Sequence, residues 1–311
     1  MRGARFLRHD RRGFALVLTL VVTALMVAVA AELVHQVYVD MSLSRGFRDG
    51  QQAALLAESG VGGGAKLLQL VLGSQEYTSL SDKWAAPLKL DDEAGQLEIA
   101  AMEESARINL NLVVLDEFTL KALKRLGKKL EIPEPAWDAL VDWVDTDDQP
   151  RTDGAESPYY QRLNPPYSAR NGQLASLQEL TLIKGFTPEI IAKLRPFVTV
   201  HSGIANAPLS KINVNTAPKE VLYALDDRID DAMAERILEE RRLRPFKNPA
   251  ELARVPGFEA IAPALQGRIS VQGTLFRIVS QAHVGESGRT VEAVVRLAAG
   301  GRPEVVSWQE Y

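Results

Sequence analysis

Phe14 to Ala31 reads FALVLTLVVTALMVAVAA, an unbroken stretch without a charge. That is about the shortest apolar run that crosses a hydrocarbon core of roughly 30 Å as a helix. Arg2, Arg5, Arg8, Arg11 and Arg12 precede it against one acid, Asp10, and no arginine follows at once. A positive flank of this kind keeps the N-terminus on the cytoplasmic side and puts the rest of the chain across the membrane. The alternative is a secretory signal peptide cut near Ala30 and Ala31, where small residues cluster. The run is longer than an ordinary signal core, Arg-Arg-Gly-Phe stands before it, and helical patterning continues beyond it. Leu33, Val37, Met41, Leu43, Phe47, Ala54, Leu55, Ala57 and Val61 recur at helical spacing among Arg45, Arg48, Asp49 and Glu58. The expectation is one rod, half in the membrane and half on a folded domain, that stops or kinks near GVGGG at 60–64 because glycine is a poor helix interior.

The whole chain, 311 residues at 46% hydrophobic and 24% charged, is long enough for two or three globular units. It has no cysteine, which excludes disulfides and cysteine-based metal sites, and its four scattered histidines argue against a histidine-rich one. A net charge of −4 argues against a general nucleic-acid surface.

Two internal echoes organise the soluble part. Arg107-Ile108-Asn109-Leu110-Asn111 is matched by Lys211-Ile212-Asn213-Val214-Asn215. Glu179-Leu180 with Ile183-Lys184-Gly185-Phe186 is matched by Glu251-Leu252 with Val255-Pro256-Gly257-Phe258. Each opening is expected to cap a helix, with Pro218 near a first turn. Each module closes on a short helix, a Gly-Phe turn and another short helix, the spacing of a helix-hairpin-helix or sterile-alpha-motif-like unit. Outside the modules, 96–102 (QLEIAAM), 276–279, 291–297 and 305–311 read as strands. The fold class expected is α+β: a long N-terminal helix and an antiparallel sheet with a large helical insertion of two modules. The boundaries are a leader at 1–13, the helix at 14–70, body strands at 71–106, a first helical module at 107–210, a second at 211–273 and terminal strands at 274–311.

The segment richest in chemistry is LVDWVDTDDQPRTDGAESPYYQRLNPPYSARNG at 140–172. Asp142, Asp145, Asp147, Asp148, Asp153 and Glu156 crowd together, and Asn164 and Asn171 follow. Hard oxygen ligands at this density suit Ca²⁺, which takes about six to eight oxygens. The spacing is not that of an EF-hand. The plain alternative is a solvated acidic turn in which Asp142 and Asp145 face water. A glycosidase carboxylate pair has no accompanying substrate cleft, and no catalytic residues are expected.

A basic leader ending in Gly13, then Phe14, then such a rod resembles the type IV pilin and pseudopilin superfamily. The resemblance implies that a prepilin peptidase cuts between Gly13 and Phe14 and methylates the new amine. Most of that superfamily carry Glu at the fifth residue after the cut, and this chain has Leu18. A membrane-buried carboxylate needs a partner, and the usual one is the free amine of a neighbour's first residue. A subunit with Leu18 cannot make that pair, which fits a tip position. Together with RINLNLV at 107–113, LVDWVDTDDQP, GAESPYY, SLQEL at 176–180 and INVNTAP at 212–218, the leader identifies the chain as similar to the type II secretion minor pseudopilin K (GspK) family.

That resemblance implies a non-enzymatic subunit of the inner membrane with its C-terminal region in the periplasm. It would cap a pseudopilus with minor pseudopilins I and J, near H and the major pseudopilin, and serve protein export. It also implies calcium held by Asp145, Asp147, Asp148, Glu156, Asn164 and Asn171. Two rivals remain at this level: a minor pilin of a type IV pilus, and a membrane-anchored DNA-binding protein using the helix-hairpin-helix modules. Against the second, Asp226, Asp227, Asp230 and Asp231 surround one turn. The arginines at 236, 241, 242 and 244 alternate with Glu235, Glu239 and Glu240.

Overall fold

The structure is a computed structural model that describes residues 11–202, 211–297 and 301–311. Most of the expected leader and the end of the expected first module lie outside the described residues. In chain order the elements are α1 (Arg11–Leu72), β1 (Leu88–Asp92), β2 (Gly95–Glu103), β3 (Ile108–Asn109), α2 (Glu117–Leu130), α3 (Pro135–Val144), α4 (Ser157–Tyr160) and α5 (Pro188–Leu194). Then come β4 (Val198–Thr199), β5 (Ile212–Asn213), α6 (Lys219–Ala224), α7 (Asp231–Leu243), α8 (Ala262–Leu265), β6 (Ile269–Ser270), β7 (Leu275–Val284), β8 (Ser287–Arg296) and β9 (Glu304–Glu310).

The first helix is one continuous rod of 62 residues, about 90 Å long, long and apolar enough to cross a membrane. Its residues from 13 to 48 are exposed. Further on, Ala53, Ala57, Val61, Ala65, Leu68 and Leu72 form a buried stripe at helical spacing over β2, β7 and β8. The expected break at 60–64 is absent. A Cβ on Gly60 would overlap Ser280 Oγ, and one on Gly64 would lie 3.1 Å from Ile99 Cγ2. Those glycines let helix and sheet approach closely, and the packing overrides their poor propensity.

The sheet is antiparallel throughout, in the order β1-β2-β7-β8-β9. Alternation sends Leu97, Ile99, Phe276, Ile278, Val291, Ala293 and Val295 into the helix-facing core, where Trp84 meets Phe276 edge-on at 5.2 Å. β7 and β8 are longer than the alternation alone marks and close through a tight turn, with Gly285 at φ +58. β1 carries no strand signal strong enough to predict it, and every residue in it is exposed.

The two modules share one hydrophobic core and repeat one scheme. β3 pairs in parallel with β4, and β5 with β6. Asn111 bonds both polar groups of its side chain to the backbone, donating to Leu174 O (2.9 Å) and Val200 O (2.8 Å) and accepting from Leu174 N (2.7 Å). Asn215 does the same with Phe246, donating to its O (2.8 Å) and accepting from its N (2.9 Å). The echoed asparagines are clasps between distant segments. The capping expected of the openings is met in the first module, where Asn109 caps the 3-10 turn Leu110–Leu112 by accepting from Asn111 N (3.0 Å), and not in the second, where α6 starts after Pro218 with no side-chain cap. The Gly-Phe turns place Gly185 at φ +87 and Gly257 at φ +93, each between a 3-10 turn and a short helix.

Two adjacent buried carboxylates at the end of β2 fasten both modules to the sheet. Glu103 accepts from Thr78 Oγ1 (3.0 Å), Ser105 Oγ (2.6 Å), Asn213 Nδ2 (2.9 Å) and Thr216 Oγ1 (3.0 Å). Burial raises its pKa, with the four donors pulling the other way. Glu104 accepts from Thr199 Oγ1, Arg107 Nη1 (2.9 Å) and Arg277 Nε (2.7 Å). Burial opposes its charge, but the two guanidiniums leave its pKa lowered.

Candidate metal centre

α3 is buried nearly all round: Trp137, Leu140, Val141, Trp143 and Val144 join the module core. Asp142 therefore has little route to water, and residues 151–155 fold back over what remains. Arg151 N donates to both its oxygens (3.3 and 3.1 Å). Gly154 passes so close that a Cβ there would overlap Asp142 Oδ2. α3 ends when Asp145 turns extended, its N–H still reaching Val141 O at 2.9 Å. The chain returns at Glu156, also extended, immediately before α4.

Oxygens of Asp142, Asp145 and Glu156 consequently lie within 4.8 Å of one another. Both Glu156 oxygens and Asp145 Oδ1 are buried without a hydrogen-bond partner. At an effective dielectric of about 20, unit charges at that separation repel by roughly 3 kcal/mol per pair. Among the described residues the cation paired with the cluster is Arg151, with Nε 3.8 Å from Asp142 Oδ1 and its side chain half-exposed. Desolvation, then the charges of Asp142, Asp145, Asp148 and Asp147, push Glu156 up to about 7. Desolvation is also the leading cause raising Asp142 and Asp145. Bare, this arrangement is costly; with a divalent cation among the three carboxylates the orphaned oxygens gain a partner. All donors are oxygens, which fits Ca²⁺ by hardness.

Among the residues expected as ligands, Asp145 and Glu156 are in the cluster. Asn171, at φ +48, donates Nδ2 to Asp147 O (3.1 Å) and Asp148 Oδ1 (3.4 Å), while its own Oδ1 is buried and unpartnered. Asp147 Oδ1 accepts from Gln149 N at 2.9 Å. Asp147 and Asp148 are exposed on the adjoining turn, and Asn164 is exposed before a cis peptide to Pro165, with no hydrogen bond among the described residues. Asp142 joins the cluster although its sequence position reads as a solvent face. The local signal for it is Gly154, where only a residue without Cβ fits.

An aromatic wall holds the loop. Tyr160 is fully buried, edge-on to Trp143 at 5.1 Å and stacked on Tyr167 at 5.3 Å. Its hydroxyl accepts from Lys184 N (3.3 Å), and Lys184 Nζ donates to the carbonyls of Asp153 (3.1 Å) and Gly154 (3.0 Å). The Lys184-Gly185 turn of the first module thus fixes the acidic loop. At the other end of the chain, Phe14 and Leu18 are exposed on α1.

The family model for type II secretion system (T2SS) protein K matches 106–203 in its first-domain form and 212–272 in its second, together about half the chain. A type II secretion system protein K from Pseudomonas aeruginosa is 28% identical, over 97% of this chain and 93% of that protein. One from Aeromonas hydrophila is 26% identical, over 91% and 92%. The fold is similar to a chain in the crystal structure of the GspK-GspI-GspJ complex from enterotoxigenic Escherichia coli. That likeness has a TM-score of 0.71 at 22% identity and covers 86% of this chain and 99% of that one. The chain belongs to the type II secretion system protein K family.

Proposed function

We propose that this chain is the subunit at the tip of a pseudopilus, joined there to minor pseudopilins I and J and serving the export of folded proteins. The observation that carries the reading is Leu18, where the membrane helix offers no carboxylate to a subunit ahead of it. The wide pair of helical modules supports it, being bulk unsuited to a repeating position along a fibre. In this reading the leader is cut after Gly13 and Phe14 is methylated. α1 anchors the chain in the inner membrane with the remainder in the periplasm, beside H and the major pseudopilin during assembly. The work is geometric and involves no bond-making step.

Calcium belongs to the same proposal, held by Asp142, Asp145 and Glu156 with Asp147, Asp148 and Asn171 on the adjoining loop. The bound ion would supply counter-charge that pins the 145–156 loop. The orphaned Glu156 oxygens support this part. Co-expression of the full chain with its I and J subunits, followed by purification from solubilised membranes, tests the assembly. The three should be recovered together in equal amounts, and recovery of this chain alone would overturn the reading.

A further inference from the structure

The two modules follow one scheme with one large difference. In the first, α3 and the 3-10 turn Leu177–Leu182 are joined by the acidic stretch 145–176; in the second, α7 and the 3-10 turn Pro249–Arg254 are joined by 244–248 alone. The residue before the hairpin glycine changes in step. It is Lys184 in the module that carries the loop and Pro256 in the one that does not. The hairpins themselves are alike: Ile183 and Val255 are both extended (φ −91, ψ 133 and φ −75, ψ 124), and Gly185 and Gly257 both have positive φ. The turn therefore has no need of a lysine at this place. Pro256 has neither an N–H nor a charge to offer, and its carbonyl accepts from Arg236 Nη1 at 3.2 Å.

Residue 184 uses both groups that proline lacks, one on each side of Glu156. Its Nζ donates to the carbonyls of Asp153 (3.1 Å) and Gly154 (3.0 Å), just before Glu156, and its backbone N–H donates to Tyr160 Oη (3.3 Å), just after it. Gly154 is also the residue pressed against Asp142 Oδ2, so one side chain ties both ends of the cluster to the hairpin. Among the described residues this ammonium bonds carbonyls and lies over the Tyr159 ring (5.2 Å to its centre), and it forms no ion pair with a carboxylate. The acids keep their oxygens for an ion. We propose that Lys184 is the positioning residue of the calcium site, holding 153–160 in the ligand arrangement before an ion arrives and thereby setting the affinity. This rests on reading the acidic cluster as a calcium site. An ammonium has no lone pair to offer the ion, so it acts through the loop. Charge alone predicts the opposite sign, since a cation beside the cluster repels Ca²⁺ and its removal would tighten binding.

Calorimetric titration of Ca²⁺ into the full chain in detergent tests the assignment. Lys184→Met keeps the apolar stem and should weaken binding about 10–100-fold, the usual loss when a group that orients metal ligands is removed. Lys184→Arg keeps charge and donors and should stay within about threefold. In chelator, trypsin should cut after Arg151 about fivefold faster in Lys184→Met than in the unchanged chain, a readout of loop opening that needs no ion. Should Lys184→Met not fold, Lys184→Pro, which copies the second module, should fold and lose binding at least as far. Unchanged or tighter Ca²⁺ binding, unchanged cutting, or a loss in Lys184→Arg as large as in Lys184→Met overturns the role of Lys184 and leaves the calcium reading standing. Absence of Ca²⁺ binding by the unchanged chain overturns the calcium reading and the role of Lys184 with it.

Discussion

Alanine should stabilise the protein at Gly62 but not at Gly60, although the two positions are close neighbours in one helix. Replacing an interior helical glycine by alanine gains about 1 kcal/mol where there is room. Gly62 has room, so the full gain is expected, and Gly63 should behave alike. At Gly60 the new Cβ would overlap Ser280 Oγ and stand 3.0 Å from Leu97 Cδ1. Overpacking of a close helix-sheet contact costs about 1–3 kcal/mol, which cancels or outweighs the gain. The gap between the two variants is then about 1–3 kcal/mol, roughly 2–5 °C in melting temperature for a chain of this size. Thermal unfolding of the full chain in detergent, followed by tryptophan fluorescence, reads it, since Trp84 lies in the same core. Ser280→Ala should rescue Gly60→Ala, because it removes the clashing oxygen, which is buried and unpartnered. If Gly60→Ala stabilises as much as Gly62→Ala, α1 does not meet the sheet on the face assigned to it.

Calcium should raise the melting temperature of the full chain at pH 8, chelator should reverse it, and Glu156→Gln should abolish the difference. In chelator, a Glu156 raised from 4.5 to about 7 stabilises the fold below pH 4.5, and that contribution is lost as pH rises through 7. The shift spans at most ~3 kcal/mol, lowered to roughly 1–2 kcal/mol by solvent screening, so the chelated protein should melt about 2–3 °C higher at pH 5 than at pH 8. An unchanged melting point across pH and calcium would count against the site. Glu103→Ala leaves four donors without their acceptor and should cost about 2–4 kcal/mol by denaturant unfolding. With its pKa raised, Glu103 stabilises most at acid pH and less as pH passes its folded value, so Glu103→Gln should be milder than Glu103→Ala.

The rod was legible because the uncharged run from Phe14 to Ala31 passes without interruption into an amphipathic pattern. Strands with one apolar face, β2, β7, β8 and β9, were legible from alternation. β1 was not, since only Leu88 and Leu90 mark its inner face and neither is covered. The break foreseen at 60–64 failed because propensity is local, while Ser280, Ile99 and Ile278 arrive from strands far along the chain. Asn111 and Asn215 were visible as a repeat, but their use depends on Leu174 and Phe246, which no local rule brings near. Asp145 and Glu156 were found by acid density. Asp142 was missed because its burial comes from the loop that returns at 151–155, and Asn164 stands at the surface.

The tip is a position, and position can be seen. Full-length chain carrying an epitope at its C-terminus, expressed with its pseudopilins, should place immunogold at one end of each sheared fibre. Label distributed along the fibre shaft would contradict a tip position, because a subunit with Leu18 and two bulky modules would then be repeating along the fibre.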